Sequence, residues 1–591
     1  MKRFFLLFIA ALSFVCAGNA LAADHWTSFI EEFTDTKSAV KNYKSIIASQ
    51  KDDGSWADID YNSPLRGSWV GGKHASRFAT LVGAWHETGD EEAKTAALKA
   101  LEYWGTTKPV CKNWWWNVVG VPQAMGPAFY LLKDEMNGQQ LAWALEIMDK
   151  SPFGQTGQNK VWRARNVFFR ALLVNDEQMM KAARDTIVSE ICVVDPSKEG
   201  IQQDWSYHQH GPQLQFGNYG LSYASDMSWW VKGFRGTEFA LSEEEEAVII
   251  NYVKEGLRWV TWNGLFDQNA CGRQVFRNAQ KNKAKIARGA ADRLGLAPEP
   301  EKPGSRYYDK SDFGVYRAKD WYASIRMQSS RICGMETTNK ENMKCYFSSD
   351  GALLTRIEGD EYYNISPVWN WRHVPGTTTY DDGRELWGLT EMGIKVFKKE
   401  PYNKSDLVFG CAEGEYMIAA MDYVRDGMKA RKAWFFTPEG VVCLGAGISR
   451  EQNDPVVTTL EQNILKGKVS SGRGWIAHRG ITYIVMDGHK IKTAPYEHSG
   501  NWRYMQPAEN DKTVTVNVFD AWIEHGNAPK DASYAYVVAP LCEDCVLEGA
   551  ARAKEVKKSV KILSNTTDLQ KISVNGKMLV VDWAAGKASV L

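Results

Sequence analysis

Neither sign of charge is in excess in this 591-residue chain, which has 71 lysines and arginines against 71 aspartates and glutamates. Zero net charge leaves no global field to draw in a polyanion, so nucleic acid is not an expected partner and any anionic ligand must meet a local patch. Beyond the N-terminus no apolar run is long enough for a membrane span, and no membrane partner is expected either. Cysteine is scarce: of ten, Cys16 lies in the N-terminal apolar run and nine are scattered from Cys111 to Cys545. An odd, dispersed set is not a disulfide framework. Cys542-Glu543-Asp544-Cys545 is a lone CxxC, and His208-Gln209-His210 has no carboxylate set near it, so neither is expected to hold a metal.

What is present is more specific. Lys2-Arg3, the apolar run from Phe4 to Ala17 and Ala20-Leu21-Ala22 form an export leader over residues 1–22, which predicts a periplasmic or secreted mature protein. Tryptophan, at 24 residues, offers flat surfaces of the kind sugars stack on, with burial as the plainer use. Phe78, Leu81, Val82 and Trp85 recur at helical spacing, as do Leu141, Leu145 and Met148, and Thr88-Gly89-Asp90 and Met136-Asn137-Gly138 break the pattern after a few turns. Long helices joined by short breaks pair antiparallel, so residues 23–296 are expected to form an α/α toroid. Ala297 to Gly304 is a proline-rich linker. Beyond it, stretches such as Tyr322–Met327, Lys432–Phe436 and Thr482–Met486 are rich in β-branched and aromatic residues between turn signals. The expected class is a multidomain α+β protein, the toroid followed by an antiparallel β-sandwich over 305–520 and a small β-domain over 521–591.

Between helical flanks, Asp204 to Gly220 is a glycine-rich, non-periodic stretch carrying His208, His210, Tyr207 and Tyr219. Titratable side chains on a loop held by a rigid scaffold are where chemistry concentrates. Elsewhere Asn113-Trp114-Trp115-Trp116-Asn117 holds three tryptophans that cannot all face inward, and Thr156-Gly157-Gln158-Asn159 reads as a helix start. Arg273 and Arg277 share a face if their segment is helical, and Asn339-Lys340-Glu341-Asn342 and Pro367-Val368-Trp369-Asn370-Trp371 follow in the β half.

Taken together, in this order and over nearly the whole mature chain, these motifs resemble polysaccharide lyase family 8, which includes chondroitin AC, hyaluronan and xanthan lyases, and most of all its chondroitin AC branch. Gln209-His210-Gly211-Pro212-Gln213-Leu214-Gln215, with Tyr219 nine residues after His210, is the core of the likeness. The resemblance implies an incomplete α/α toroid followed by β-sandwich domains, and cleavage of a uronate polysaccharide by β-elimination. In that chemistry the C5 proton is removed and the C4 oxygen leaves, giving a 4,5-unsaturated uronate.

Residue by residue, the resemblance implies that Asn159 neutralises the substrate carboxylate and that His210 and Tyr219 are the acid/base pair, Tyr219 being favoured as the residue nearest both reacting atoms and His210 either supporting the carboxylate or acting as base. Arg273 is then the cation that favours tyrosinate, with Arg277 and Glu341 orienting it and tying the helical domain to the β-domain. Trp114, Trp115, Asn117, Trp369 and Trp371 are the expected sugar contacts. No cofactor is required; calcium, implied for some members, has no clear ligand set here. The protein is expected to act as a monomer on an anionic polysaccharide. Cys345 stands where the family pattern has glycine, and the chain is shorter than most members, which leaves polymer choice and endo or exo action open. An inverting hydrolase would need two carboxylates about 6.5 to 9.5 Å apart, and the motifs supply only Glu341 and Asp204. A binding module without chemistry would keep the tryptophans but has no use for the whole acid/base set.

Overall fold

The computed structural model describes residues 25–298, 302–386, 403–541 and 547–591. The leader and the CxxC pair lie outside them. Contacts divide the chain into two units, one running to Ile191 with Asp226–Glu246, the other made of Cys192–Ser225 and Ala247–Leu591. Residues 192–225 and 247–296, expected in the helical half, therefore group with the strands.

The first unit is helical. Gly72–Thr88, Glu91–Thr107, Val121–Leu132, Gly138–Asp149, Gly157–Leu173 and Glu177–Val188 follow one another with short breaks. The punctuation acts as its chemistry requires. Gly89 ends one helix in the left-handed region at φ 67°, and Asp90 caps the next by accepting from the Glu92 amide. Asn137 and Gln140 form a reciprocal capping box. The core is aromatic: Trp26, Phe29, Phe168, Trp230 and Phe234 meet at centroid distances of 4.9 to 6.4 Å. Burial is thus the main use of tryptophan; Trp114, 43% exposed, is the exception in this unit.

In the second unit, Gly304–Tyr308, Phe313–Arg317, Tyr322–Arg326 and Ala352–Arg356 form a four-stranded antiparallel sheet in chain order. Eight strands between Val408 and Pro540 form the largest sheet, and Thr378–Tyr380, Pro455–Ile464, Ile491–Thr493, Glu497–Gly500 and Val514–Asn527 another. A last four-stranded sheet runs from Val560 to Val590. Residue 521, expected as the start of the last domain, falls inside the Val514–Asn527 strand. Alternate residues of the eight-stranded sheet, Ile418, Ala433, Phe435, Val442 and Val537 among them, share one core with Val560, Ile572, Leu579 and Trp583 of the last sheet. The fold class is the expected one, a helical N-terminal part followed by antiparallel sheets.

Between two of these sheets lies Glu461, buried, taking hydroxyl hydrogen bonds from Tyr362 at 2.9 Å and Tyr483 at 2.7 Å. Burial is the main cause that pushes its pKa up to about 8, with nearby Glu361 adding to it. The folded state therefore keeps a proton that the unfolded chain loses near pH 4.5, and stability falls as pH rises until the folded form also titrates. Glu461→Gln should raise the melting temperature at pH 9, by an amount worth on the order of 3 kcal/mol, and leave it unchanged at pH 4. Thermal melts of both forms across that range check it.

Candidate active site

Three segments of the second unit converge. The first is the loop 207–220. Tyr207–His208 pairs with Gly200–Gln202, and His208, fully buried, is held by Ser311 at 2.9 Å as a packing residue. The loop ends in a π-turn over Phe216–Gly220 that carries Tyr219. Gly217 is required there: a Cβ would fall 2.6 Å from the Ala270 carbonyl. That close approach brings in the second segment, 267–273. Asp267 pairs with fully buried Arg356 at 2.9 Å, and the Asn269 amide donates to Ser324 and to the Ala352 carbonyl. These bonds dock the segment on the first sheet and deliver Arg273. Arg326 donates both to the Asn269 carbonyl and to the Gly334 carbonyl, so one buried guanidinium ties the second segment to the third, 333–342. The third also meets the first, through the Cys333 amide on the Pro212 carbonyl at 2.8 Å.

At the junction His210, Tyr219, Arg273 and Glu341 come together, and with them Glu336, which motif reading missed. Arg273, 4% exposed, donates to Glu341 at 2.8 Å and to Glu336, and its guanidinium lies 5.6 Å from the centre of the Tyr219 ring. His210 Nδ1 lies 2.9 Å from Glu336, and its ring meets Tyr219 edge to face at 4.7 Å. A carboxylate only accepts, so Nδ1 carries the proton and Nε2 keeps its lone pair. The His210 backbone sits at φ 61° and donates to Glu199 at 2.7 Å, a second carboxylate the motifs did not flag. Glu199 also accepts from the Gln209 side chain. Lys283, buried on the helix Ala279–Arg293, donates to the Gly217 carbonyl. A glutamate three residues before Asn339 was the available signal for Glu336; the pairing of Gln213 with Cys333 helps bring it beside the histidine.

Burial, then the charge of Arg273, lowers the His210 pKa to about 4, so the imidazole is neutral at physiological pH. Tyr219 is raised above the ordinary phenol by burial. Arg273 opposes that shift without overcoming it, so the expected tyrosinate is not the resting form. Burial likewise raises Glu341 against the pull of Arg273, and lowers Lys283.

The remaining expected residues are placed elsewhere. Arg277 is not on a helix with Arg273: Gly272 turns the chain at φ 64°, and Arg277 instead pairs with Glu509 at 3.2 Å and covers the Trp502 ring. Trp369 and Trp371 are buried, their indole nitrogens spent on the Gln462 and Ser366 carbonyls, so they offer no face to a ligand. In the first unit the Asn117 amide is used at both ends by the backbone of Cys111. Trp114 is exposed, and Trp115 rests edge-on against Trp116 and Trp162. Asn159 is buried in the first turn of Gly157–Leu173, behind Thr156 at the cap position. Among the described residues no three His, Cys, Asp or Glu side chains are grouped to hold a metal ion. No described helix is long and apolar enough to cross a membrane.

Two family models match the chain: the N-terminal α-helical domain of polysaccharide lyase family 8 over residues 17–308 and its super-sandwich domain over 303–546. A chondroitinase AC of Pedobacter heparinus is 29% identical over all of this chain and 90% of its own. A hyaluronate lyase of Thermasporomyces composti is 24% identical over 84% of this chain and 73% of that one. Among solved structures, a chondroitinase AC lyase studied in complexes with oligosaccharides superimposes with a TM-score of 0.84 at 27% identity, over 96% of this chain and 90% of that one.

Proposed function

Because the chain belongs to polysaccharide lyase family 8 and is a polysaccharide lyase, we propose that it cleaves a uronate-containing glycosaminoglycan, chondroitin sulfate or hyaluronan, by β-elimination. The observation that carries this reading is the pairing of a neutral imidazole, oriented by a carboxylate, with a protonated phenol held by a guanidinium. His210 Nε2 takes the C5 proton. Tyr219 gives its proton to the departing C4 oxygen, and Arg273, charged throughout, stabilises the phenolate left behind. The neutral-amide role that the resemblance implies for Asn159, holding the substrate carboxylate so that the C5 proton becomes acidic, is part of the proposal. Export by the leader places the reaction outside the cytoplasm. A hydrolase is disfavoured because Glu336 and Glu341 are both committed to Arg273.

The test is the ultraviolet absorbance of the unsaturated uronate during incubation with chondroitin sulfates A and C, dermatan sulfate, hyaluronan and xanthan. Absorbance is expected to rise with the chondroitin sulfates or hyaluronan. New reducing ends without absorbance overturn the reading. The rate should hold as pH falls toward about 4 and drop below it, where His210 takes up a proton and loses its lone pair.

A further inference from the structure

Where a short strand pairing runs out, a side chain takes over its work. Gly200 and Ile201 pair antiparallel with His208 and Tyr207, and the same register carried one step further sets Glu199 opposite Gln209. The ladder stops there, because His210 and Gly211 turn away in the left-handed region at φ 61° and 87°. Glu199 spans the break with its carboxylate. One oxygen accepts from the His210 main-chain amide at 2.7 Å, and the other accepts from the side-chain amide of buried Gln209. Two successive residues are thus held by one bidentate acceptor.

Left-handed backbone is uncommon outside glycine and persists where the surrounding structure enforces it. On either side of this turn the loop is anchored, at His208 by Ser311 at 2.9 Å and at the Pro212 carbonyl by the Cys333 amide at 2.8 Å. Neither bond touches His210. Its ring is aimed by Glu336 through Nδ1 and its main chain by Glu199, so two carboxylates far apart in the chain fix the two ends of one residue. The place of Nε2 depends on both. Hydrogen bonding from an amide to a carboxylate is charge-assisted, which makes the main-chain hold a strong one. The charge of Glu199 has a lesser part: burial and then Arg273 weigh more on the His210 pKa.

We propose that Glu199 is a positioning residue for the base, locking the left-handed His210 backbone through the main-chain amide so that Nε2 stands where the C5 proton arrives. The proposal rests on the lyase reading above for the proton that is taken.

Glutamine and methionine match glutamate in length and differ in what they can accept, so Glu199→Gln and Glu199→Met in the full-length protein separate the hydrogen bond from the space it fills. Glu199→Gln keeps an oxygen for the His210 amide, and the Gln209 amide can turn over to meet the new NH2. Glu199→Met keeps neither acceptor. Its kcat should fall roughly 10 to 100-fold, the scale of a catalytic group misplaced by about an ångström. Glu199→Gln should stay within about threefold of wild type, and KM should move less than about twofold in both, because the carboxylate is spent on the loop. An unchanged kcat in Glu199→Met overturns the proposal. An equal fall in both variants overturns it too, since the charge and not the hydrogen bond would then be acting.

Nitrogen-15 labelling of the histidines gives a reading independent of turnover. The His210 amide proton should lie downfield and exchange slowly in wild type and in Glu199→Gln, and lose both properties in Glu199→Met, while the Nδ1 proton held by Glu336 stays in place. Fast exchange of that amide in the wild type alone overturns the proposal, whatever the variants do. If the spectra behave as expected and the wild type makes no unsaturated uronate from any polymer, the hold on His210 stands and the lyase reading falls.

Discussion

Tyr219→Phe should leave the protein folded and able to bind its polymer while kcat falls by roughly 10³-fold, within the range a positioned general acid supplies. The fold survives because Arg273 keeps Glu336 and Glu341. KM is expected to change little, since the phenyl ring still meets His210 edge to face. Initial rates of absorbance give both constants. A uronate carrying a good leaving group at C4 refines the result, because departure of such a group needs no proton. Restored turnover of that substrate by Tyr219→Phe makes Tyr219 the acid alone, with His210 as base. No restoration would mean that Tyr219 also takes the C5 proton, and the division of roles proposed above would be wrong.

Glu336→Gln should be nearly as damaging, with a loss of roughly 10² to 10⁴-fold in kcat. Its carboxylate is fully buried and serves His210, Arg273, Gln215 and Thr338 at once. An amide of the same shape can donate to Nδ1, which would move the imidazole proton to Nε2 and remove the base; a wrong tautomer has this consequence in serine proteases, the worked case for the effect. Glu341→Gln should cost far less, because Glu341 touches Arg273 and not the imidazole. Nitrogen-15 spectra of the histidine side chains report the tautomer directly. A shift of the His210 proton to Nε2 in Glu336→Gln, absent in Glu341→Gln, is the expected signature. An unchanged tautomer with lost activity would reduce Glu336 to a partner of Arg273.

How far sequence reached into this site follows from the range of the forces involved. His210 and Tyr219 share one local loop, so their spacing was readable as a motif. The helix of Gly72–Thr88 and its glycine stop were readable too, because periodicity and capping are local. Arg277 misled because spacing of four implies a shared face only on a helix. Asp267 and Asn269 bind the 267–273 segment to strands 55 to 89 residues away, which no local pattern records. Glu336 was passed over for the same reason: the glutamate stands close to Asn339 in sequence, but it meets His210 across 126 residues of chain. Trp369 and Trp371 show the opposite error. A paired-tryptophan motif looks like a binding surface, but whether an indole faces a sugar or a core depends on the layer above it, and here both nitrogens are satisfied inside.

The π-turn at Phe216–Gly220 has a consequence for how such a site can change over time. A π-turn holds one residue more than the α-turn it replaces. Deleting one residue between positions 216 and 218 would let the helix that begins at Leu221 extend backward in regular form, rewinding the turn that aims the phenol. Every recognisable letter of the motif could survive such an edit while the chemistry disappeared.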